Sequence, residues 1–98
     1  MPYITQDRRD PLDEPLAQII LAIQDSTAKA GMLNYAITTL LQSVVDPEAP
    51  RYVDINTAVG VLECAKLELY RRLAAGYEDK KAAENGDVDT YVVVQSKD

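Results

Sequence analysis

Apolar residues recur at helical spacing in the first third of the chain. Their stripe predicts a helix that begins at Asp10-Pro11, because Asp caps free amides and Pro at the first helical position gives up only an N–H that would lack a partner. The helix should end near 25–27, where Asp, Ser and Thr follow one another. The stripe consists of Leu16, Ile19, Ile20 and Ile23.

A second apolar stripe predicts a helix that begins after Ser26 or Thr27 and runs to about Val45. The sequence DPEAPR at 46–51 should end it, because two prolines within a polar hexapeptide favour a solvated turn. The predicted inner face consists of Leu33, Ile37, Leu40, Leu41 and Val44.

The third predicted helix is the longest, with Asp54 as its cap and Asn85-Gly86 as its end. At about 100° per residue, a stripe that starts at Ile55 includes Lys66. The opposite side is also half apolar, so more of this helix is hydrophobic than one chain of this length covers, and we expect copies to associate around it as a homo-oligomer. The stripe continues through Val59, Leu62, Leu69, Leu73 and Tyr77, and the opposite side carries Val61, Cys64 and Leu67.

The predicted architecture is all-α, a small three-helix domain with a long third helix and a short C-terminal extended segment. One domain should span 1–98, with an N-terminal arm at 1–9, a helical core at 10–86 and an extended tail at 87–98. The tail contains VDTYVVV from Val88 to Val94, whose β-branched and aromatic residues favour a strand. A strand on a helical domain needs a partner, so we expect it to pair or dock.

Composition and charge exclude several classes of function. The net charge is −6 and the basic residues are scattered, which argues against general nucleic-acid binding. The chain has one Cys and no His, so it lacks the residues for disulfides, typical zinc sites and Ser-His or Cys-His catalysis. No apolar run is long enough to span a bilayer. We expect a cytoplasmic protein without a cofactor.

One candidate ligand site follows an edge of the third helix and the facing side of the second. A Lys within an apolar stripe needs a carboxylate, an anionic ligand, or an escape of its ammonium to water. The structural alternative is an ion pair between Glu63 and Lys66 with the Lys stem packed on the surface. The candidate residues are Asn34, Tyr35, Asn56, Glu63, Lys66 and Tyr70.

A second candidate site, for an anion or a partner protein, lies towards the end of the third helix. Its proposed residues are Arg71, Arg72 and Lys80, because Arg binds carboxylate and phosphate in a bidentate manner. The alternative is a surface ion pair in which Glu68 stands four residues before Arg72.

Carboxylates alone suggest only a weak metal site. Glu63 with Asp54, Glu68 or Glu78 would resemble the magnesium sites of helical nucleotide hydrolases. However, Glu63 and Glu68 point about 140° apart around the helix. We therefore predict no metal site and no enzymatic activity, and we expect Cys64 to be a small buried residue.

Several segments resemble a family of short uncharacterised proteins found in tailed-phage and bacterial genomes. They are the opening MPYI, GMLNYAITTLL at Gly31–Leu41, and VGVLECAKLELYRR with YEDKKAAENGDV within Val59–Val88. The resemblance implies no established activity or ligand. Many relatives have Pro where Gly76 stands and stop soon after NGDV, so Thr90–Val94 is an addition to their pattern.

The sequence as a whole predicts a small acidic oligomeric binding protein. As a phage accessory protein it would modulate a host protein, or sequester a small nucleotide-like anion, in the host cytoplasm. One alternative is a magnesium-dependent all-α nucleotide hydrolase that uses Glu63. The other is a structural or assembly component.

Overall fold

The computed structural model describes residues 3–88, which are all-α as predicted and contain no strand. Three helices are present, and the third is interrupted by a wider turn. The bounds are α1 at Gln6–Gln24, α2 at Lys29–Leu40 with a 3₁₀ turn at Leu41–Ser43, α3 at Tyr52–Leu69, a π-helical turn at Tyr70–Ala74, and α4 at Ala75–Asn85.

The start of α1 differs from the prediction. The helix begins at Gln6, before Asp10, and contains both Pro11 and Pro15. The Gln6 Nε2 donates to Asp10 Oδ1 at 2.8 Å, which holds the turn before Pro11 in a helical conformation. Asp10 is therefore an acceptor within the helix and not its cap, and residues 6–9 are not part of an extended arm.

The residues before α1 are tied to its first turns. The Arg9 Nε donates to the carbonyl of Ile4 at 2.7 Å. The carbonyl of Thr5 accepts from the amides of Arg8 at 3.0 Å and Arg9 at 3.1 Å, which begins the helical hydrogen bonding.

α1 and α2 contact each other and form a helical hairpin, which we call the α1–α2 hairpin. In the turn between them, the Ala28 amide donates to Ser26 Oγ at 2.9 Å. α2 starts at Lys29, and its 3₁₀ turn ends at Ser43, two residues before the predicted end of the helix. The short turn brings the apolar residues of the two helices side by side.

Asp54 does not cap α3, contrary to the prediction. The helix already starts at Tyr52, and Arg51 donates to both Asp54 oxygens, from Nε at 2.8 Å and from Nη2 at 3.1 Å. A planar guanidinium matches a carboxylate in this bidentate geometry, so the side chain of Asp54 turns to Arg51 and not to the free amides. This hydrogen bond lowers the pKa of Asp54 below its ordinary value of 3.8.

The third predicted helix widens at Tyr70–Ala74 and then continues as α4. The Ala75 amide donates to the carbonyl of Tyr70, five residues earlier, as in a π-helix. α4 ends at the predicted Asn85-Gly86, where the Gly86 amide donates to Ala82 at 2.8 Å. Gly86 has the positive φ that the prediction requires, but its φ of 89° and ψ of 141° differ from a left-handed helical cap.

The chain divides into two compact units, Met1–Leu62 and Glu63–Asp98. Among residues 3–88 only Ala58 is buried. The predicted inner face of α2 is largely open, with Leu33 50% exposed, and Cys64 is exposed where we expected burial. Within each unit, the described helices leave these apolar side chains exposed.

The predicted strand is represented only by Val88, which has no regular secondary structure. Residues 89–94 lie outside the described part of the chain.

Candidate functional site

The first unit has an apolar groove of about 530 Å³ between α1 and α2. Among residues 3–88, no charged side chain lines it, and the hydroxyls of Tyr35 and Thr39 are its only side-chain nitrogen or oxygen atoms. The groove can therefore hold apolar side chains or an apolar molecule. Its lining consists of Ile19, Ala22, Ile23, Ala28, Gly31, Met32, Tyr35, Ala36, Thr39 and Leu40.

Leu40 of the predicted inner face lines the groove, but the other α2 residues that line it were not on that face. Met32, Ala36 and Leu40 line it at intervals of four residues. The predicted face included Leu33 and Ile37, each one position further along and so about 100° around the helix. Three small residues line the groove: Ala28 immediately before α2, and Gly31 and Ala36 within it. Small residues allow two helix backbones to approach more closely. This run of small residues was the sequence signal that the prediction missed.

Two ligand-site candidates lie next to each other on α2. Tyr35 lines the groove and is 73% exposed. Asn34 is not among the lining residues, and its Oδ1 accepts a hydrogen bond from Thr38 Oγ1 at 3.4 Å. Neighbouring positions on a helix point about 100° apart, so the structure places only Tyr35 of this pair in the groove. Asn56 is on α3 in the same unit.

The other three candidates belong to the second unit. Lys66 Nζ and Glu63 Oε1 are 3.1 Å apart, which confirms the predicted ion pair, and their side chains are 70% and 55% exposed. An ion pair this open contributes little to stability. The Tyr70 hydroxyl donates to Glu78 Oε2 at 3.0 Å, and this hydrogen bond raises the pKa of Tyr70.

Lys66 and Tyr70 share one further feature. Together with Leu67, Leu69 and Ala74 they line a hollow of about 380 Å³, which is apolar apart from the Lys66 ammonium and the Tyr70 hydroxyl. Within the second unit, the structure therefore places Glu63, Lys66 and Tyr70 along one part of the helix.

The anion-site candidates Arg71 and Arg72 both lie in the π-helical turn. Arg71 Nη2 and Arg72 Nε are each 2.9 Å from Glu68 Oε1, which confirms the predicted pair between Glu68 and Arg72 and adds Arg71 to it. Lys80 makes no ion pair within residues 3–88.

Lys81 of α4 contacts two side chains of the same helix. Lys81 Nζ lies 3.3 Å from Glu84 Oε2 and 5.6 Å from the centroid of the Tyr77 ring. The cations of this end of the chain are thus mostly engaged with side chains of their own helix.

The carboxylates considered for a metal site are engaged separately. Within 3–88, no three Asp, Glu or Cys side chains lie close enough to share a metal ion. Each of the four has a different partner: Asp54 pairs with Arg51, Glu63 with Lys66, Glu68 with the two arginines, and Glu78 with Tyr70. No helix in the described range has the length and hydrophobicity required to cross a membrane.

A protein family matches most of the chain. The family model described as "Domain of unknown function (DUF6899)" matches residues 1–88. The chain belongs to this family. The match ends at Val88, the last residue of the NGDV sequence, and residues 89–98 lie beyond it. No curated protein and no solved structure matches the chain.

Proposed function

We propose that this chain is an interaction protein that works as a homo-oligomer and contacts its partners through apolar helix faces. The supporting observation is the exposure of its large hydrophobic side chains, since only Ala58 is buried between residues 3 and 88. Val59, for example, is 59% exposed and Leu73 is 65% exposed. Association would bury many of these side chains and so stabilise the chain through the hydrophobic effect.

Covering the exposed apolar side chains would stabilise an assembly of copies. Burying a large aliphatic or aromatic side chain contributes roughly 1.5–3 kcal/mol relative to leaving it in water. Soluble monomers rarely keep contiguous apolar patches larger than a few hundred Å² in contact with solvent, and larger patches mark interaction sites. Association between copies covers such surface without any new polar chemistry.

The third helix is one self-association element of this proposal. In the first unit, Ile55 and Val59 are exposed on α3, and in the second unit Leu69 and Leu73 are exposed. Lys66 does not oppose packing there, because its ammonium already pairs with Glu63 at the surface and its aliphatic stem can lie against a neighbour. The π-helical turn rotates Leu73 relative to Leu69, because a wider turn advances by less than the usual angle per residue.

We also propose which kind of molecule the chain binds. The resemblance to phage and bacterial proteins supports a host protein as the partner, bound in the host cytoplasm. A small nucleotide-like anion is a second candidate, favoured by Lys80, which makes no ion pair within 3–88 and follows Arg71 and Arg72 along the chain. A structural or assembly role is compatible with the same self-association.

Sedimentation of the full chain tests the proposed self-association. We expect an oligomer at micromolar concentration, and Leu69→Lys should raise its dissociation constant at least tenfold by placing a charge in the apolar contact. The matched control is Leu69→Met, which keeps an apolar side chain of similar volume at the same exposed position. A folded wild-type chain that sediments as one subunit throughout this range would show the proposal to be wrong.

A thermal-shift screen with nucleotides separates the two partner classes. A ligand at a hundredfold excess over its Kd stabilises the native state by about 2.7 kcal/mol. We expect no shift of Tm, because Arg71 and Arg72 both pair with Glu68. A rise in Tm that disappears in Lys80→Gln would favour anion sequestration.

A further inference from the structure

The charges of this chain are distributed unevenly. Of its 26 charged residues, only Asp25 and Lys29 fall within 15–45, which includes most of α1 and the whole of α2. Both lie at the turn that joins the two helices. The α1–α2 hairpin therefore has no net charge over this range, whereas the chain as a whole carries −6.

The exposed face of this hairpin is apolar as well as uncharged. Ile20 and Leu40 are more than half exposed, and the groove between the helices is lined almost entirely by carbon. Charged residues are depleted at the centre of protein interfaces in the same way. Two helices alone cannot enclose a hydrophobic core, so this face requires further helices to cover it.

We infer that the α1–α2 hairpin of one copy packs face to face on the same hairpin of a second copy, so that four helices enclose one apolar core. This inference rests on the proposed self-association and names a surface for it. A contact of this kind is isologous, with the same residues contributed by both copies about a two-fold axis. Side chains such as Ile23 and Met32 of each copy would fill the groove of the other.

The distribution of charge along the chain favours a second copy as the partner that covers the groove. Two copies that carry −6 each repel, so contact costs least where charge is sparse, and residues 15–45 of the hairpin are a long stretch with that property. A basic partner would be attracted to an acidic surface, which residues 15–45 do not offer. The apolar, neutral face is complementary to itself.

A small molecule is the competing occupant. The groove volume of about 530 Å³ lies within the range of ligand sites. Such sites usually combine an apolar lining with several convergent polar groups, and here only the hydroxyls of Tyr35 and Thr39 are available. The groove therefore fits hydrocarbon side chains better than a functionalised ligand.

A pair of adjacent threonines allows a matched test. Thr39 lines the groove and Thr38 does not, and both lie in the last turn of α2, where a cation is favourable for the helix. We expect Thr39→Lys in the full chain to raise the dissociation constant of the oligomer at least tenfold in sedimentation, whereas Thr38→Lys leaves it within about twofold. Circular dichroism should show the same helix content in both variants.

The outcomes distinguish this inference from the proposed function. If Leu69→Lys dissociates the oligomer and Thr39→Lys does not, the hairpin contact is wrong and self-association stands. If the wild-type chain is a single subunit, both are wrong. If wild type retains an apolar small molecule that Thr39→Lys loses with its oligomeric state unchanged, the groove is a ligand site and the inference is overturned.

Hydrogen exchange decides the case in which Thr39→Lys unfolds or both threonine variants dissociate. In the wild-type chain, α2 amides should gain protection as concentration rises through the association range. If α2 protection is independent of concentration while association proceeds, the hairpin is not the interface.

Discussion

At the scale of single residues, the ion pairs of the described chain are local. Arg51 pairs with Asp54, Lys66 with Glu63, and Lys81 with Glu84, each three positions apart. Such pairs follow from the geometry of one helical turn, so those formed by Glu63 and Glu68 could be predicted from spacing alone. Their exposure limits their contribution to stability, and they mainly keep the polar side of each helix soluble.

The hydrogen bond between Tyr70 and Glu78 is less local than these ion pairs, because the two residues are eight positions apart. Spacing rules for neighbouring turns do not reach that far. The two side chains meet across the π-helical turn at Tyr70–Ala74, whose presence the sequence pattern did not indicate.

This contact predicts a change in the titration of Tyr70. Its pKa is raised above the ordinary 10.0 first by the hydrogen bond to Glu78 and then by the charge of that carboxylate. Glu78→Gln should therefore lower the pKa of Tyr70, as measured by NMR titration of the ring.

The sign of the linked effect on stability follows from the raised pKa. The folded state favours the neutral phenol, so the stabilisation is present below pH 10.0 and is lost as pH rises through the raised pKa. Glu84→Gln is the control, because Glu84 pairs with Lys81. Equal Tyr70 titration in wild type and Glu78→Gln would contradict the assignment.

At the scale of elements, the pattern of apolar and capping residues predicts one helix end correctly and another incorrectly. α4 ends next to the predicted Gly86, whereas α1 starts before the predicted Asp10, whose carboxylate accepts a hydrogen bond from Gln6. A glycine at a helix end and one inside a helix should respond oppositely to the same substitution, because only the first needs a positive φ.

Gly86→Ala and Gly76→Ala test this difference within the second unit. Gly86 has a φ of 89° and a ψ of 141°, a conformation that residues with a Cβ rarely adopt, so Gly86→Ala should destabilise the chain by about 1–3 kcal/mol. Gly76 lies within α4 with nothing within 4 Å of an added Cβ, so Gly76→Ala should stabilise it by up to about 1 kcal/mol. Urea unfolding at equal protein concentration measures both, and a shift in the same direction would refute the argument.

At the scale of the whole molecule, apolar exposure and net charge oppose each other. The exposed Leu, Ile and Val side chains favour association, while −6 on each copy resists it. The balance between these two terms sets the dissociation constant of the proposed oligomer.

This balance predicts an unusual response to salt. Raising ionic strength shortens the Debye length from about 30 Å at 0.01 M to about 8 Å at 0.15 M and so screens the repulsion between copies. Association should become tighter, since no intermolecular ion pair is required at the apolar faces. Sedimentation at the two salt concentrations measures the effect, and weaker association at the higher one would indicate that charges hold the copies together.

The sequence by itself determined the all-α fold, the three helical stretches and the ion pairs of Glu63 with Lys66 and of Glu68 with Arg72. Each depends on residues a few positions apart, and helical periodicity and side-chain reach are local properties. It also indicated more apolar surface than one chain covers.

Only the tertiary structure decided which stripe of α2 borders the groove. Met32 and Ala36 line it, while Leu33 and Ile37, one position further, do not. That choice depends on which side of α2 faces α1, which is a property of two helices packed together and not of either helix alone.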